Sequence, residues 1–208
     1  MSQITGVRFE TTFLSKNPPR DERTGQLLYW CQRFDKLGLA PKSAGNLSFR
    51  TKQGFIITAT GVELRAAEKA NLVEVLKVEI QEVQILVYAK GRVVPSKESV
   101  LHSEIYNLRP EINAVFHTHD QLVVELADEL KLPCTEGEQP RGSYELVKEV
   151  ERMLCLMEDV RYLVLRNHGV IAMGETMAEA GRLAENMNRI ARDFAQRKEA
   201  GNEGIARI

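Results

Sequence analysis

The chain has 208 residues, 43% hydrophobic and 27% charged, with 28 basic against 29 acidic side chains and a formal net charge of -1. This is the composition of a folded soluble protein, long enough to bury a substantial core and expected to form one domain over residues 1–208. No basic stripe supports a nucleic-acid or anionic-membrane partner, and no apolar run approaches the roughly 20 residues of a membrane helix. The opening MSQITGVRFETTFLSKNPPRDERTG lacks an apolar core and does not read as a signal peptide. Cys31, Cys134 and Cys155 stand apart, outside any CxxC pattern, which points to reduced thiols and a cytoplasmic setting.

Residues 1–20 show no clear periodicity and read as a strand or arm ending in a loop at Pro18-Pro19. From Thr24 to Leu39, Leu27, Leu28, Cys31, Phe34 and Leu37 recur at helical spacing. "SAGNLSFR" and "GFIITATG" read as a strand pair turning at Lys52-Gln53-Gly54. A short helix is expected from Leu64 to about Ala70, then strands at "LVEVLKVEI" and "QILVYAKG". "PSKESVLHSEIYNLRP" reads as a helix capped by Ser96 and stopped before Pro110. "NAVFHTH" is a strand, and "DQLVVELADEL" a helix with Asp120 as cap. "GSYELVKEVERMLCLM" is a helix starting near Gly142 or Ser143, and "RYLVLRNHGVIAMG" two strands around a tight turn. A long helix from Thr176 to Arg197 is followed by a polar tail, with 198–208 as a second candidate arm. With no repeat or linker, the pattern predicts an α/β fold, helices covering both faces of a mainly antiparallel sheet.

Four pieces carry chemistry. His117 and His119 lie two apart on a strand, so both imidazoles project to one side, a common arrangement for two metal ligands; the alternative is a hydrogen-bonded pair of partly buried histidines. His168 ends an apolar strand at a glycine, where a turn histidine bonding the backbone is the simpler reading. Glu98 falls in the first turn of its helix, where an acid by default complements the helix dipole. His102, four residues on, shares that face as a chelating partner or, preferably, a supporting core residue. The turns "KSAGNLS", "TATG" and "PSK" present backbone amides beside hydroxyls or glycines, a phosphate-binding chemistry that each turn alone signals only weakly.

Together, "SAGNLSFR", "GFIITATGV", "PSKESVLHSEIYNLRPEINAVFHTH", "GSYELVKEV" and "NHGVIAMGETMAEA" resemble the class II aldolase/adducin family, the fuculose-1-phosphate aldolase type, from about Leu39 to Phe194. The resemblance implies a three-layer α/β/α sandwich with a predominantly antiparallel sheet, commonly a homotetramer with active sites between subunits. It implies zinc, one per subunit, held by Glu98, His117, His119 and His168, with Glu98 moving off the metal to act as the acid/base. It places the phosphate of a small-molecule sugar phosphate against Gly45, Asn46, Thr60, Gly61, Ser96 and Lys97. The implied reaction cleaves a short ketose 1-phosphate to dihydroxyacetone phosphate and an aldehyde, the cation stabilising charge on oxygen.

The chain departs from that pattern twice. Lys97 stands where the type often has a second serine, either as a charged phosphate contact or as an outward lysine. The segment 120–143 and the C-terminal tail contain no tyrosine, so the type's proton donor has no counterpart among Tyr29, Tyr88, Tyr106, Tyr144 and Tyr162. A dehydratase of the same fold, acting on methylthioribulose 1-phosphate, is the second expectation, with Glu136 and Glu138 leaving it open. A pentulose-phosphate epimerase and a non-catalytic adducin-like scaffold come after it; the retained histidines and Glu98 count against the scaffold.

Overall fold

The computed structural model describes residues 8–81 and 84–205, with residues 201–205 as backbone only. Eight strands form one sheet: β1 (Arg8–Ser15), β2 (Asn46–Arg50), β3 (Phe55–Thr58), β4 (Leu72–Ile80), β5 (Gln84–Lys90), β6 (Ala114–Thr118), β7 (Tyr162–Leu165) and β8 (Gly169–Gly174). Their spatial order is β1-β5-β4-β3-β2-β6-β8-β7. Every neighbouring pair is antiparallel except β1 and β5. Among the described residues five α-helices accompany the sheet: α1 (Thr24–Lys36), α2 (Ser99–Leu108), α3 (Gln121–Glu125), α4 (Tyr144–Leu156) and α5 (Met177–Ile205).

The central strands β6 and β8 are buried along their whole length and β2 up to Phe49, so their residues alternate between two apolar layers rather than between core and water. Leu47, Phe49, Ala114 and Phe116 pack with Leu27 and Phe34 of α1 and Ala180 and Ala184 of α5. The intervening Val115, with Ile57, Val73 and Ile171, packs with Leu101 and Ile105 of α2 and Val147 and Val150 of α4. Helix, sheet and helix thus make the three layers read from the sequence. The alternation also sets the side of the chemistry. His117 and Asn46 fall on the α2 face, in step with Val115 and Ser48.

Four expectations need correction. The helix expected from Ser96 starts at Ser99, because Ser96 closes a separate turn that precedes it: Ser99 N donates to the Ser96 carbonyl and Glu98 N to Ser96 Oγ. The helix expected at 64–70 is two 3-10 turns, Leu64–Ala66 and Lys69–Asn71, separated by extended Ala67 and Glu68; reciprocal capping between Glu68 and Asn71 favours the break. The α3 helix stops at Glu125, well short of Leu130. At the C-terminal end α5 continues beyond Arg197 to Ile205, whereas the strand expected within 1–20 is present as Arg8–Ser15 at the sheet edge; the expectations for 1–7 and 206–208 lie outside the described residues. Among the described residues no helix is long and apolar enough to cross a membrane.

Candidate metal centre and active-site pocket

Three separate segments bring the histidines together. His117 sits on β6 opposite Asn46 of β2 on one side and Ile171 of β8 on the other. His119 lies one residue past the end of β6, its backbone N–H donating to the Leu39 carbonyl at 2.9 Å. His168 closes the β7–β8 turn, with Asn167 at φ 56° just before it and its own N–H donating to Leu165 O at 3.0 Å. The three ring centroids are 4.8, 4.9 and 5.0 Å apart, and one ligating atom from each ring lies within 4.8 Å of the others.

Glu98 reaches the same point from the N-terminal end of α2. Its side chain makes no capping bond to the helix. Instead Oε2 accepts from Asn46 Nδ2 at 2.7 Å and lies 3.2 Å from His117 Nε2, while Oε1 lies 3.2 Å from His168 Nε2. The dipole-complementing role is therefore not what its carboxylate does.

The protonation pattern indicates what the cluster lacks. Val170 O can only accept, so the 3.0 Å contact from His117 Nδ1 places the proton there and leaves Nε2 as a bare lone pair. That lone pair faces His119 Nε2 at 3.0 Å and a carboxylate oxygen at 3.2 Å. Buried His168 makes no hydrogen bond through either ring nitrogen, and Glu98 Oε1 accepts none. Nitrogen and carboxylate lone pairs crowd this one point, and a positive centre between them would satisfy them together. Nitrogens about 2.0–2.1 Å from one tetrahedral ion stand about 3.3 Å apart, near the 3.0 Å between His117 Nε2 and His119 Nε2. The residues fit a divalent cation.

Burial acts on the basicity of the same groups. It holds His119 down at about 3, with His117, His168 and the positive charge of Arg141 adding to the effect, and it lowers His117 as well. Burial alone would push the Glu98 carboxyl up, but His117, His168 and the Asn46 amide outweigh it and keep the group ionised. Neutral His117 and His119 with an ionised Glu98 are protonation states that ligation requires.

A family model, the class II aldolase and adducin N-terminal domain, matches residues 25–194. The chain belongs to that family. It is 27% identical over 188 residues to L-fuculose phosphate aldolase of Haemophilus influenzae, covering 83% of this chain and 82% of the relative. It is 30% identical over 171 residues to a 5-methylthioribulose-1-phosphate/5-deoxyribulose-1-phosphate aldolase of Rhodospirillum rubrum, covering 76% and 73%. The crystal structure of L-fuculose-1-phosphate aldolase from Thermus thermophilus superposes with a TM-score of 0.66 at 25% identity, over 84% of this chain and 94% of that one. As a member of this metal-dependent family with aldolase relatives, the protein is an enzyme of the carbon–carbon lyase class.

Beside the histidines lies a pocket of about 180 Å³, lined by Gly45, Asn46, Thr60, Gly61, Ser96 and Lys97 together with Glu98, His119, His168 and Arg141. All three turns singled out in the sequence therefore meet at one place. Backbone pairing explains why: Ala59 bridges Pro95, Thr60 N donates to Val94 O, and Ser96 N donates to Thr58 O, tying two of the turns side by side. At the third, Gly45 has φ 84°, and a Cβ there would stand 2.7 Å from the His117 carbonyl, so only glycine lets β2 enter so close to the ligand strand. Lys97 is exposed and lines the pocket. None of the five tyrosines does. A wider, more open cleft lined by Arg20, Arg23, Arg50 and Lys52 contains no histidine, and two of its cations are committed: Arg23 to Asp21, and Arg50 to the carbonyls of Tyr106, Arg109 and Ile112.

His102 supports rather than lines the site. It is fully buried, with Nδ1 joined to Ser48 Oγ at 2.7 Å and Ser48 in turn to Tyr106 OH at 2.7 Å. Burial lowers His102 from 6.5 to about 3. The folded chain thus refuses a proton that the unfolded chain accepts, and stability falls as pH drops below 6.5. From this residue the loss is about 2 kcal/mol between pH 7 and pH 5. Urea titrations of chelator-treated protein at both pH values should show it, and His102→Asn should flatten the pH dependence by about that amount. An identical pH dependence in the variant would remove His102 as its source.

Proposed function

We propose that the chain is a zinc-dependent aldolase cleaving a short ketose 1-phosphate, fuculose 1-phosphate or a near analogue, to dihydroxyacetone phosphate and an aldehyde. The observation that supports this best is the convergence of His117, His119, His168 and Glu98 beside a pocket walled by three amide-rich turns. Three imidazoles with a carboxylate are a nitrogen and oxygen set suited to zinc, and no thiolate is present to blunt the ion's charge. Bound there, the ion would supply Lewis-acid stabilisation of the negative charge that grows on the ketose oxygen as the carbon–carbon bond breaks.

The remaining work falls to the chain. The turns at Gly45–Asn46 and Thr60–Gly61, with Ser96 and Lys97, hold the phosphate and fix the reacting carbons over the histidines, using binding remote from the bond that breaks. Glu98 carries the proton: in the addition direction it takes one from carbon 3 of dihydroxyacetone phosphate, and in cleavage it returns one to that carbon. Asn46, which donates to Glu98 Oε2, holds the carboxylate between these duties. The proton exchanged at the aldehyde oxygen is assigned to no tyrosine of this chain. For the dehydratase reading nothing further speaks: Glu136 pairs with Arg152, Glu138 accepts from Asn167, and neither lines the pocket. A single domain, a cytoplasmic location and a homotetramer complete the proposal.

Elemental analysis of protein purified without chelator should find about one zinc per chain. Incubation with fuculose 1-phosphate, ribulose 1-phosphate and methylthioribulose 1-phosphate should release dihydroxyacetone phosphate from at least one. Loss of water without that release would replace the aldolase by the dehydratase.

A further inference from the structure

His119 lies one residue beyond the end of β6, so the sheet ladder does not hold it. The His117 ring is fixed by its own bond, Nδ1 donating to Val170 O. Among the described residues the His119 ring has no such tie; its polar contact is Nε2 against His117 Nε2. Where that imidazole points is therefore set by where its backbone stands.

Two neighbours fix that backbone, and both lead to α5. The first is Leu39, whose carbonyl accepts from His119 N. Leu39 belongs to the turn that ends α1, where Gly38, at φ 73°, donates N–H to Asp35 O and Leu39 N donates to Phe34 O. Arg192 of α5 donates to Leu37 O in the same turn at 3.2 Å. The second neighbour is Asp120. Its Oδ1 accepts from Val123 N at 3.3 Å and its Oδ2 from Asn188 Nδ2 at 2.8 Å. Asn188 Oδ1 in turn accepts from Arg192 Nε at 2.8 Å, which orients the amide, nitrogen toward the carboxylate and oxygen toward the guanidinium. The ties close on themselves, from His119 through Leu39, Leu37, Arg192, Asn188 and Asp120 back to His119. Asp120 and Asn188 are both buried. Capping the five-residue α3 uses one carboxylate oxygen of Asp120; the other reaches a helix 68 residues on.

We propose that Asn188 and Arg192 are positioning residues of the metal centre: bonded in series to Asp120 and Leu37, they hold the backbone at His119 and so the direction of its imidazole. This rests on the reading of the three histidines as a metal site. The test exchanges the buried pair. Asp120→Asn alone sets an amide donor against an amide donor, and Asn188→Asp alone sets a carboxylate against a carboxylate. The two substitutions together restore one donor facing one acceptor and leave acceptors for Val123 N and Arg192. Zinc-loaded proteins, shown to be folded by circular dichroism, are titrated with a chromophoric chelator. Each single variant should hold zinc about tenfold less tightly or worse, the scale of a lost supporting partner, and the exchange should recover most of that loss. Arg192→Met changes an exposed residue and tests the ring without disturbing a buried side chain; it should weaken zinc in the same direction. Urea titration of the chelator-treated proteins separates the two roles. Single variants that lose stability but keep wild-type zinc affinity would overturn the proposal, as would an exchange that holds zinc no better than the single variants. Wild-type affinity in Arg192→Met would take Arg192 out of it. A wild-type protein that binds no zinc would instead defeat the metal reading beneath it.

Discussion

Glu98→Gln should lower kcat/KM by about 10²–10⁴-fold, the range set by losing a positioned acid/base. The substitution preserves shape and leaves an amide oxygen to accept from Asn46, so the pocket should keep its form. The three imidazoles remain, so the variant should retain metal at least in part. Steady-state release of dihydroxyacetone phosphate and metal analysis together check both statements. An unchanged rate would take Glu98 out of the reaction.

Much of this arrangement was legible in the sequence because it depends on local rules. The two-residue period of "NAVFHTH" puts His117 on the face shared by Val115, and the apolar strands with intervening helices imply the layered sheet. The capping hydroxyl of Ser143 and the cap at Asp120 were readable for the same reason: short side chains bond amides two or three residues on. What failed was wherever a neighbour in space outweighed a neighbour in sequence. Glu98 looks like a dipole-complementing acid until α2 is seen to begin one residue later, with the carboxylate turned toward His117 and His168. Asp120 accepts not only from Val123 N but also from Asn188 of α5 at 2.8 Å, a tie between distant segments that no spacing reveals. Arg141 carries no motif at all. It lines the pocket only because the turn it stands in closes against Lys97, far from it in sequence and beyond the roughly 11–18-residue window in which periodicity is read.

Gly169→Ala should disable the site without replacing a ligand. Gly169 begins β8, and a Cβ there would stand 2.4 Å from the Thr118 carbonyl of β6 and 2.9 Å from Cε1 of the His117 ring, with His119 Cδ2 at 3.4 Å. The first contact is with backbone in the sheet, which cannot swing aside as a flexible side chain can. To admit one methyl group, β6 and β8 must part at the point where their pairing sets His117 against Ile171 and carries His168 in on the adjoining turn. Overpacking of this kind costs about 1–3 kcal/mol of stability. The larger loss should be in the metal, because ligands displaced by a few tenths of an ångström no longer share one ion; a fall in zinc affinity of about 10²-fold, comparable to the larger effects of removing a supporting partner, is expected. Gly137→Ala, where the added Cβ meets nothing within 4 Å, serves as the matched control and should change neither property. Competition with a chromophoric chelator reads the affinity and a urea titration reads the stability. A Gly169→Ala protein that keeps wild-type zinc affinity would mean that the spacing of β6 and β8 does not set the geometry of the metal site, and that the three histidines meet for a reason other than the sheet that carries them.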